Sequence, residues 1–293
     1  MIKKVLLVGG AGFIGTNLRR SLLKLDYDVK IFDWRESDIN PFSRNIIKNH
    51  PHLLSDIRWA DTVFHLAAIP AHRLSVERCN EIIYNNCNVS MNIVEFCKIL
   101  KKPLIYASSF SVYGKQPGPW TEDMQTYQDT PYSFSKVVSE DLIKLHHKLY
   151  GLKAIMARFS NVYGNFEELH EPCQVLPTWF EAAKKGETLT VYGEETTRDF
   201  THVQDVVDAL ILLMNYETDF DIFNICRGEE VKLLDVAKAI SDNVKVEPLP
   251  DYEASSWVGD HSKITEKLGW KPTRNVFDYI KEKKEEIQRG IEQ

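Results

Sequence analysis

One segment constrains this chain more than any other: Val5-Leu6-Leu7-Val8-Gly9-Gly10-Ala11-Gly12-Phe13-Ile14-Gly15. An apolar stretch rich in valine and leucine reads as a buried strand, and the glycines after it read as a tight turn opening a helix. Gly10, Gly12 and Gly15 stand where a first strand-to-helix turn needs no side chain: at the turn, at close backbone approach to a pyrophosphate, and at close helix packing. The spacing also fits GxxGxxG through Gly9, Gly12 and Gly15. A helix N-terminus supplies free N–H groups and a partial positive charge for the anion. The next strand ends in Phe32-Asp33, 18 residues past Gly15. A carboxylate there accepts hydrogen bonds from ribose hydroxyls and repels a 2′-phosphate, which favours NAD over NADP. Arg35 is the neighbour able to pair with such a phosphate instead.

The alternation of short apolar runs with longer amphipathic stretches continues to about residue 160, the pattern of repeated βαβ units. Strands are expected over 5–8, 29–32, 62–66, 103–106 and 154–157, and the main helices over 13–25, 81–100 and 132–150. The interval 33–65 is short for a crossover. Beyond Asn161 the alternation loosens, with Pro172, Pro177, Gly186 and Gly193 punctuating it. A helix over 203–215 and a strand over 221–225 read as a return to the first lobe. The expected class is α/β, a doubly wound parallel sheet with a smaller mixed α/β lobe. Residues 1–164 with 200–227 form the nucleotide lobe, and 165–199 with 228–293 the substrate lobe. The tail from Val276 reads as a charged, solvated helix.

Composition narrows the partners. Against 36 lysines and arginines stand 42 aspartates and glutamates, a net charge of -6, so the chain has no surplus with which to grip nucleic acid. Any anionic ligand must be held locally. The five cysteines (Cys79, Cys87, Cys97, Cys173, Cys226) are widely spaced with no CxxC pair, as in reduced cytosolic thiols. Glycines interrupt the first apolar stretch too early for a signal peptide, and no run approaches a membrane span. A cytoplasmic protein with no membrane partner is expected. His50 and His52 have no companion ligand, so no metal is expected.

Tyr132-Ser133-Phe134-Ser135-Lys136 sets a tyrosine and a lysine one helical turn apart on one face. A free phenol titrates near ~10, too high for a base at neutral pH, but a nearby ammonium and an oxidised nicotinamide both favour phenolate. Alone, that spacing fits an ordinary amphipathic helix equally well. The segment Leu104-Ile105-Tyr106-Ala107-Ser108-Ser109 adds weight, because a strand ending in hydroxyls faces the ligand crevice of a parallel sheet. A hydroxyl there can share charge developing on a reacting oxygen; a plain turn is the competing reading.

Taken together these motifs resemble an extended short-chain dehydrogenase/reductase of the nucleoside-sugar epimerase and dehydratase group, with a Rossmann-type fold. The resemblance runs nearly end to end. It includes the glycine turn, His65-Leu66-Ala67-Ala68, Asn85-Asn86, Ser108-Ser109 with Val112-Tyr113-Gly114, and Tyr132 with Lys136. It continues through Arg158-Phe159, Asn161-Val162-Tyr163-Gly164, Val191-Tyr192-Gly193, Arg198-Asp199-Phe200 with Asp205, and Leu268-Gly269-Trp270-Lys271-Pro272. The resemblance implies Tyr132 as acid/base, Lys136 on the nicotinamide ribose, and Ser109 on the reacting oxygen. Gly9, Gly12, Phe13, Ile14, Gly15, Asp33, Leu66, Ala67, Ala68, Asn86 and Ala107 would line the NAD. Ser109, Ser111, Asn161, Tyr192 and Arg198 would hold the sugar nucleotide, the arginine through its fit to phosphate oxygens. His65 reads as a packed strand-end histidine. A homodimer through the two long helices is also implied.

Relatives that eliminate water or carbon dioxide carry acidic residues just after the active hydroxyl, where this chain has Phe110 and Ser111. Neither donates a proton as a carboxylic acid would, which disfavours dehydration, and the serine-rich version resembles the 4-epimerases, a resemblance that implies a UDP-hexose as substrate. A 4-ketosugar reductase, a dehydratase or decarboxylase of the same family, and a non-catalytic NAD-binding regulator are the competing readings. Three departures stand out. The adenine-contacting aspartate is obscured, Asp56 lying unusually close to the next strand. Ser133 replaces a common glycine. The stretch before Asp260-His261-Ser262-Lys263 lacks the usual second phosphate-binding arginine, and Trp257 there fits substrate or core alike.

Overall fold

The computed structural model describes residues 3–34, 50–70, 74–166, 174–251 and 253–289. Arg35, Cys173 and Pro172 lie outside the described residues. The first half of the chain gives β1 (Lys4–Val8), α1 (Phe13–Lys24), β2 (Asp28–Phe32), α2 (His50–Trp59), β3 (Thr62–His65), α3 (Leu74–Glu77), α4 (Cys79–Leu100), β4 (Leu104–Ser109), α5 (Pro131–Tyr150) and β5 (Ala154–Phe159). A 3-10 turn, Phe110–Tyr113, follows β4. The second half gives β6 (Asn161–Tyr163), α6 (Val175–Lys184), β7 (Leu189–Tyr192), β8 (Thr197–Arg198), β9 (Phe200–His202), α7 (Val203–Met214), β10 (Phe220–Ile225), β11 (Val231–Lys232), α8 (Leu233–Ile240), β12 (Val244–Glu247), α9 (Ser262–Leu268) and α10 (Val276–Gln288).

Six strands form one parallel sheet in the order β10-β5-β4-β3-β1-β2. Its strands are apolar nearly throughout because helices cover both faces. Val5, Leu7, Phe64, Ile105 and Ile155 face a core shared with Leu18 and Leu22 of α1 and Val206, Leu210 and Leu213 of α7. Leu6, Val8, Val63, Leu104 and Met156, the alternate set, face Leu53 and Ile57 of α2, Ile93 and Val94 of α4, and Ile143 of α5. The chain leaves β1 first toward β2 and later toward β3, so the order reverses beside β1. A ligand crevice forms outside the carboxyl ends of strands at such a reversal.

A third core joins Leu176, Trp179 and Phe180 of α6, Leu189 and Val191 of β7, Phe200 of β9, Val236 and Ile240 of α8, and Val276 and Ile280 of α10. β7 pairs with β12, and β8 with β11. α7 packs in the core of the large sheet, and β10 forms its edge strand. Residues 262–270 were expected with the smaller lobe, but Ile264 and Trp270 pack into the core of the large sheet. The Trp270 indole also donates to the carbonyl of Asp205 on α7 at 3.0 Å. The physical reason is the amphipathic spacing of Ile264, Leu268 and Trp270, which caps the sheet beside β10.

Candidate active site

The glycine turn shows which glycines the protein requires and which it leaves open. Gly9 has φ +87°, and a Cβ on it would stand 2.4 Å from the amide nitrogen of Ala67. The segments following β1 and β3 therefore touch through a residue with no side chain. A Cβ on Gly15 would meet the Gly10 backbone at 2.6 Å, and one on Gly10 would meet Leu7 and Ile31 below 3.0 Å. Gly12 is different: its nearest neighbour would be the Gly9 carbonyl at 3.4 Å, an ordinary contact. It is the N-cap of α1, with no side-chain cap. The helix thus presents bare N–H groups at the switch-point crevice, a cradle shaped for a pyrophosphate. Phe13 and Ile14 begin its first turn.

Asp33, only 3% exposed, accepts a hydrogen bond from the Ala11 amide at 2.9 Å. Its carboxylate ties the end of β2 to the glycine turn, at the level a ribose would occupy. These residues fit an NAD. Leu66 donates its amide to the Val8 carbonyl at 2.8 Å, which brings Ala67 and Ala68 alongside the turn. Asn86 of α4 is buried, and its amide holds the Ile69 N–H at 2.9 Å and the Ser135 hydroxyl at 3.1 Å. It braces the loop after β3. Asp56, obscured in the sequence, lies inside α2 and pairs with Lys30 of β2 at 3.4 Å.

His65 is buried, its Nε2 on the Ser90 hydroxyl at 2.9 Å. Burial, with Lys136 adding to it, lowers it to about 3, so it is neutral and structural, as read from sequence.

The acid–base residues meet at the end of β4. Thr130 and Ser133 close a reciprocal capping box ahead of α5, with Pro131 in its first turn. Ser133 thus serves the helix start, where its hydroxyl accepts the Thr130 amide at 3.0 Å. The helix so started sets Tyr132 beside Ser109 at the end of β4. Ser109 also accepts the Ser111 amide at 3.2 Å. Lys136, buried, donates to the Ala107 carbonyl at 2.7 Å, and its Nζ lies 5.8 Å from the centre of the Tyr132 ring. Burial pushes the Tyr132 phenol up to about 12, with the nearby Ser109 hydroxyl opposing. Burial lowers Lys136 to about 8 while Glu140 raises it. The lowered phenol expected from the sequence is therefore not produced by the lysine alone, because burial dominates and the ammonium is directed at Ala107.

Toward the smaller lobe, Asn161 donates its amide to the Asp199 carbonyl at 3.0 Å, next to Arg198. Arg198, half-buried, lies against Trp257, 5.2 Å from the ring centre, and its Nη2 pairs with Glu253 at 3.0 Å. Its Nη1 donates to the carbonyls of Thr197 and Ala254. Tyr192 ends β7, partly exposed. Ser111 is 2% exposed, and its hydroxyl lacks a hydrogen-bond partner among the described residues. Phe110, fully buried, packs edge-on against Tyr113 and Trp120 at 5.6 Å. Two residues escaped the sequence reading. Glu253 neutralises the one arginine assigned to phosphate. Glu140 lies four residues beyond Lys136, a spacing that was visible in the sequence. Among the described residues no cluster of His, Cys, Asp and Glu is arranged to hold a metal, and no helix is long and apolar enough to cross a membrane.

Comparison with known proteins adds chemistry to this geometry. The model of the NAD dependent epimerase/dehydratase family matches residues 5–226. The chain is 33% identical to a UDP-N-acetyl-alpha-D-glucosaminuronate decarboxylase of Bacillus cytotoxicus, over 82% of this chain and 80% of that one. It is 30% identical to a putative UDP-glucose 4-epimerase of Methanocaldococcus jannaschii, over 94% and 96%. Among solved structures, a UDP-glucuronic acid 4-epimerase of Bacillus cereus, in complex with UDP-glucuronic acid and NAD, superposes with a TM-score of 0.88. It shares 26% identity and covers 98% of this chain and 99% of its own.

Proposed function

The chain belongs to the NAD-dependent epimerase/dehydratase family, whose reactions act on nucleoside-diphosphate sugars, and from that premise we propose that it epimerises such a sugar at C4, a UDP-hexose in first place. The observation that carries this reading is the placing of Ser109, Tyr132 and Lys136 at one strand end, Lys136 bonded to the Ala107 carbonyl, with Phe110 and Ser111 in the two positions after the hydroxyl. Phe110 is turned into an aromatic core and Ser111 is no acid, so neither supplies the proton that elimination of water needs.

NAD held at the glycine turn supplies a hydride acceptor for C4, a hydride to return, and the positive charge of its oxidised nicotinamide. Tyr132 takes the proton of the sugar 4-hydroxyl and gives it back after the 4-keto sugar has turned over. Ser109 shares the charge that develops on that oxygen. Lys136 keeps a positive charge near the phenol, which favours phenolate. Gly9, Gly12 and Gly15 keep the turn bare for the pyrophosphate, Asp33 accepts from the adenosine ribose, and Leu66, Ala67, Ala68, Asn86 and Ala107 form or brace the rest of that wall. Asn161, Tyr192, Ser111 and Arg198 serve the sugar nucleotide, Arg198 exchanging Glu253 for phosphate. The division into a nucleotide lobe and a substrate lobe belongs to the same reading.

The decarboxylase relative supports a second reading, in which a UDP-sugar acid oxidised at C4 loses carbon dioxide. Incubation of the purified protein, without added cofactor, with UDP-, dTDP-, GDP- and CDP-sugars and UDP-sugar acids separates these by NMR. An isomeric product is expected. Release of carbon dioxide, or turnover needing stoichiometric NADPH, overturns the epimerase reading.

A homodimer also belongs to this proposal. Tyr84, Met91 and Ile99 of α4 and Val138, Leu145 and Leu149 of α5 are exposed apolar side chains on the two long helices. The free thiols of Cys79, Cys87, Cys97 and Cys226 support a cytoplasmic setting.

A further inference from the structure

Two consecutive residues of β4 are held by α5, and the next lies beside it. The Ala107 carbonyl accepts Lys136 Nζ at 2.7 Å, the Ser108 hydroxyl donates to Glu140 Oε1 at 2.6 Å, and Ser109 neighbours Tyr132. The helix residues 132, 136 and 140 are spaced by four, so a single stripe of α5 reads along the strand end. Ser108 stands in register with Arg158 of β5. Arg158 donates from Nε to Glu140 Oε1 at 2.9 Å and from Nη2 to Oε2 at 2.7 Å, and from Nη1 to the Tyr113 hydroxyl at 2.9 Å. The side chains of Glu140 and Arg158 are 0% and 1% exposed. A buried ion pair contributes little more stability than apolar residues of the same volume. Its site beside the reacting groups is what gives this one a function.

We propose that Glu140 is a positioning residue of the acid–base site: through Ser108 it fixes Ser109 against the helix carrying Tyr132, and it is the counter-ion that keeps Lys136 protonated. The proposal rests on the reading of Tyr132 and Lys136 as the acid–base pair. Lys136 is faced by Glu140 and Tyr132 of its own helix, by Tyr106 of β4, whose ring centre is 4.9 Å away, and by His65 of β3. Glu140 is faced by Arg158 of β5, Lys144 of α5 at 3.6 Å and Tyr106. Of these, Glu140 is the one carboxylate. Although burial favours its neutral form, Arg158 and Ser108 hold it below the ordinary range, so the charge persists at working pH. Burial draws Lys136 down to about 8, and Glu140 opposes that shift.

The test follows the Lys136 ammonium of the NAD-loaded protein by 15N NMR, assigned with Lys136→Met, in wild type, Glu140→Gln, Glu140→Asp and Ser108→Ala. Glu140→Gln should lower the Lys136 titration by about one pH unit or more, and move the alkaline limb of kcat by the same amount with KM little changed. Glu140→Asp should return both toward wild type. Ser108→Ala should lower kcat without moving the limb. Glu140→Gln leaves Arg158 uncompensated; if it fails to fold, Glu140→Gln with Arg158→Gln carries the same expectation. A folded variant without the carboxylate in which Lys136 titrates as in wild type overturns the proposal, as does an unchanged kcat in Ser108→Ala. The NMR titration needs no sugar nucleotide, so its outcome stands apart from whether the reaction is an epimerisation.

Discussion

Replacing Gly12 and Gly15 separately by alanine should divide cofactor binding from stability. A Cβ on Gly15 would sit 2.6–2.7 Å from three backbone atoms of Gly10, closer than real Cβ atoms come. The turn must shift, and overpacking of this kind costs about 1–3 kcal/mol. The better helix propensity of alanine returns at most about 1 kcal/mol. A net loss of about 1–2 kcal/mol lowers the unfolding temperature of a chain of this length by about 2–3 °C. Gly12, by contrast, has φ -81° and its nearest neighbour at 3.4 Å, so a methyl group fits without strain. Less unfolded-chain entropy and a poorer N-cap offset each other to within about 1 kcal/mol. That methyl nonetheless stands at the bare helix N-terminus, where a pyrophosphate would approach. Thermal unfolding of NAD-stripped protein should leave Gly12→Ala near wild type and lower Gly15→Ala, while calorimetry should show NAD affinity reduced at least about tenfold in Gly12→Ala, or about 1.4 kcal/mol. Equal unfolding shifts for the two variants, or wild-type NAD affinity in Gly12→Ala, would refute the assignment of Gly12 to the pyrophosphate.

Tyr132→Phe should keep its NAD, measured by absorbance of the purified protein, and lose about 10²–10⁴-fold in turnover; a variant retaining a tenth of the rate excludes Tyr132 as the acid/base. Leu145→Glu with Leu149→Glu should shift sedimentation from dimer to monomer, and a monomeric wild type at micromolar concentration would remove the dimer from the proposal. His65 gives a pH prediction. Its folded-state value is about 3 against 6.5 for a free histidine, so below pH 6.5 the unfolded chain takes up the proton first and stability falls with acidification. The loss from this group between pH 7 and pH 5 is about 2 kcal/mol. His65→Gln should lose correspondingly less over the same range in urea titrations. His202 and Asp199, also shifted, act alike in both proteins.

Much of the sheet was legible because its cause is local. A buried parallel strand is an apolar run, and a crossover helix carries apolar residues at helical spacing, so β1 to β5 and α1, α4 and α5 fall within a few residues of their expected bounds. The glycine turn was legible for the same reason, since close backbone approach excludes a side chain whatever else the chain does. Asp56 was obscured because its place in the sequence says nothing about the element that carries it, which is α2.

By itself the sequence determined the α/β class and the glycine turn with Asp33 behind it, each written as a local pattern, and its family resemblance implied Tyr132, Lys136 and Ser109 as a set. Only the tertiary structure decided the state of those groups. It alone set the raised phenol of Tyr132, the Glu253 carboxylate on Arg198, and the Glu140–Arg158 pair under Ser108, joining residues 18 to 55 positions apart. The physical reason is that charge and desolvation depend on what surrounds an atom in space. Spacing along the chain reports only which residues share a turn of helix or a side of a strand.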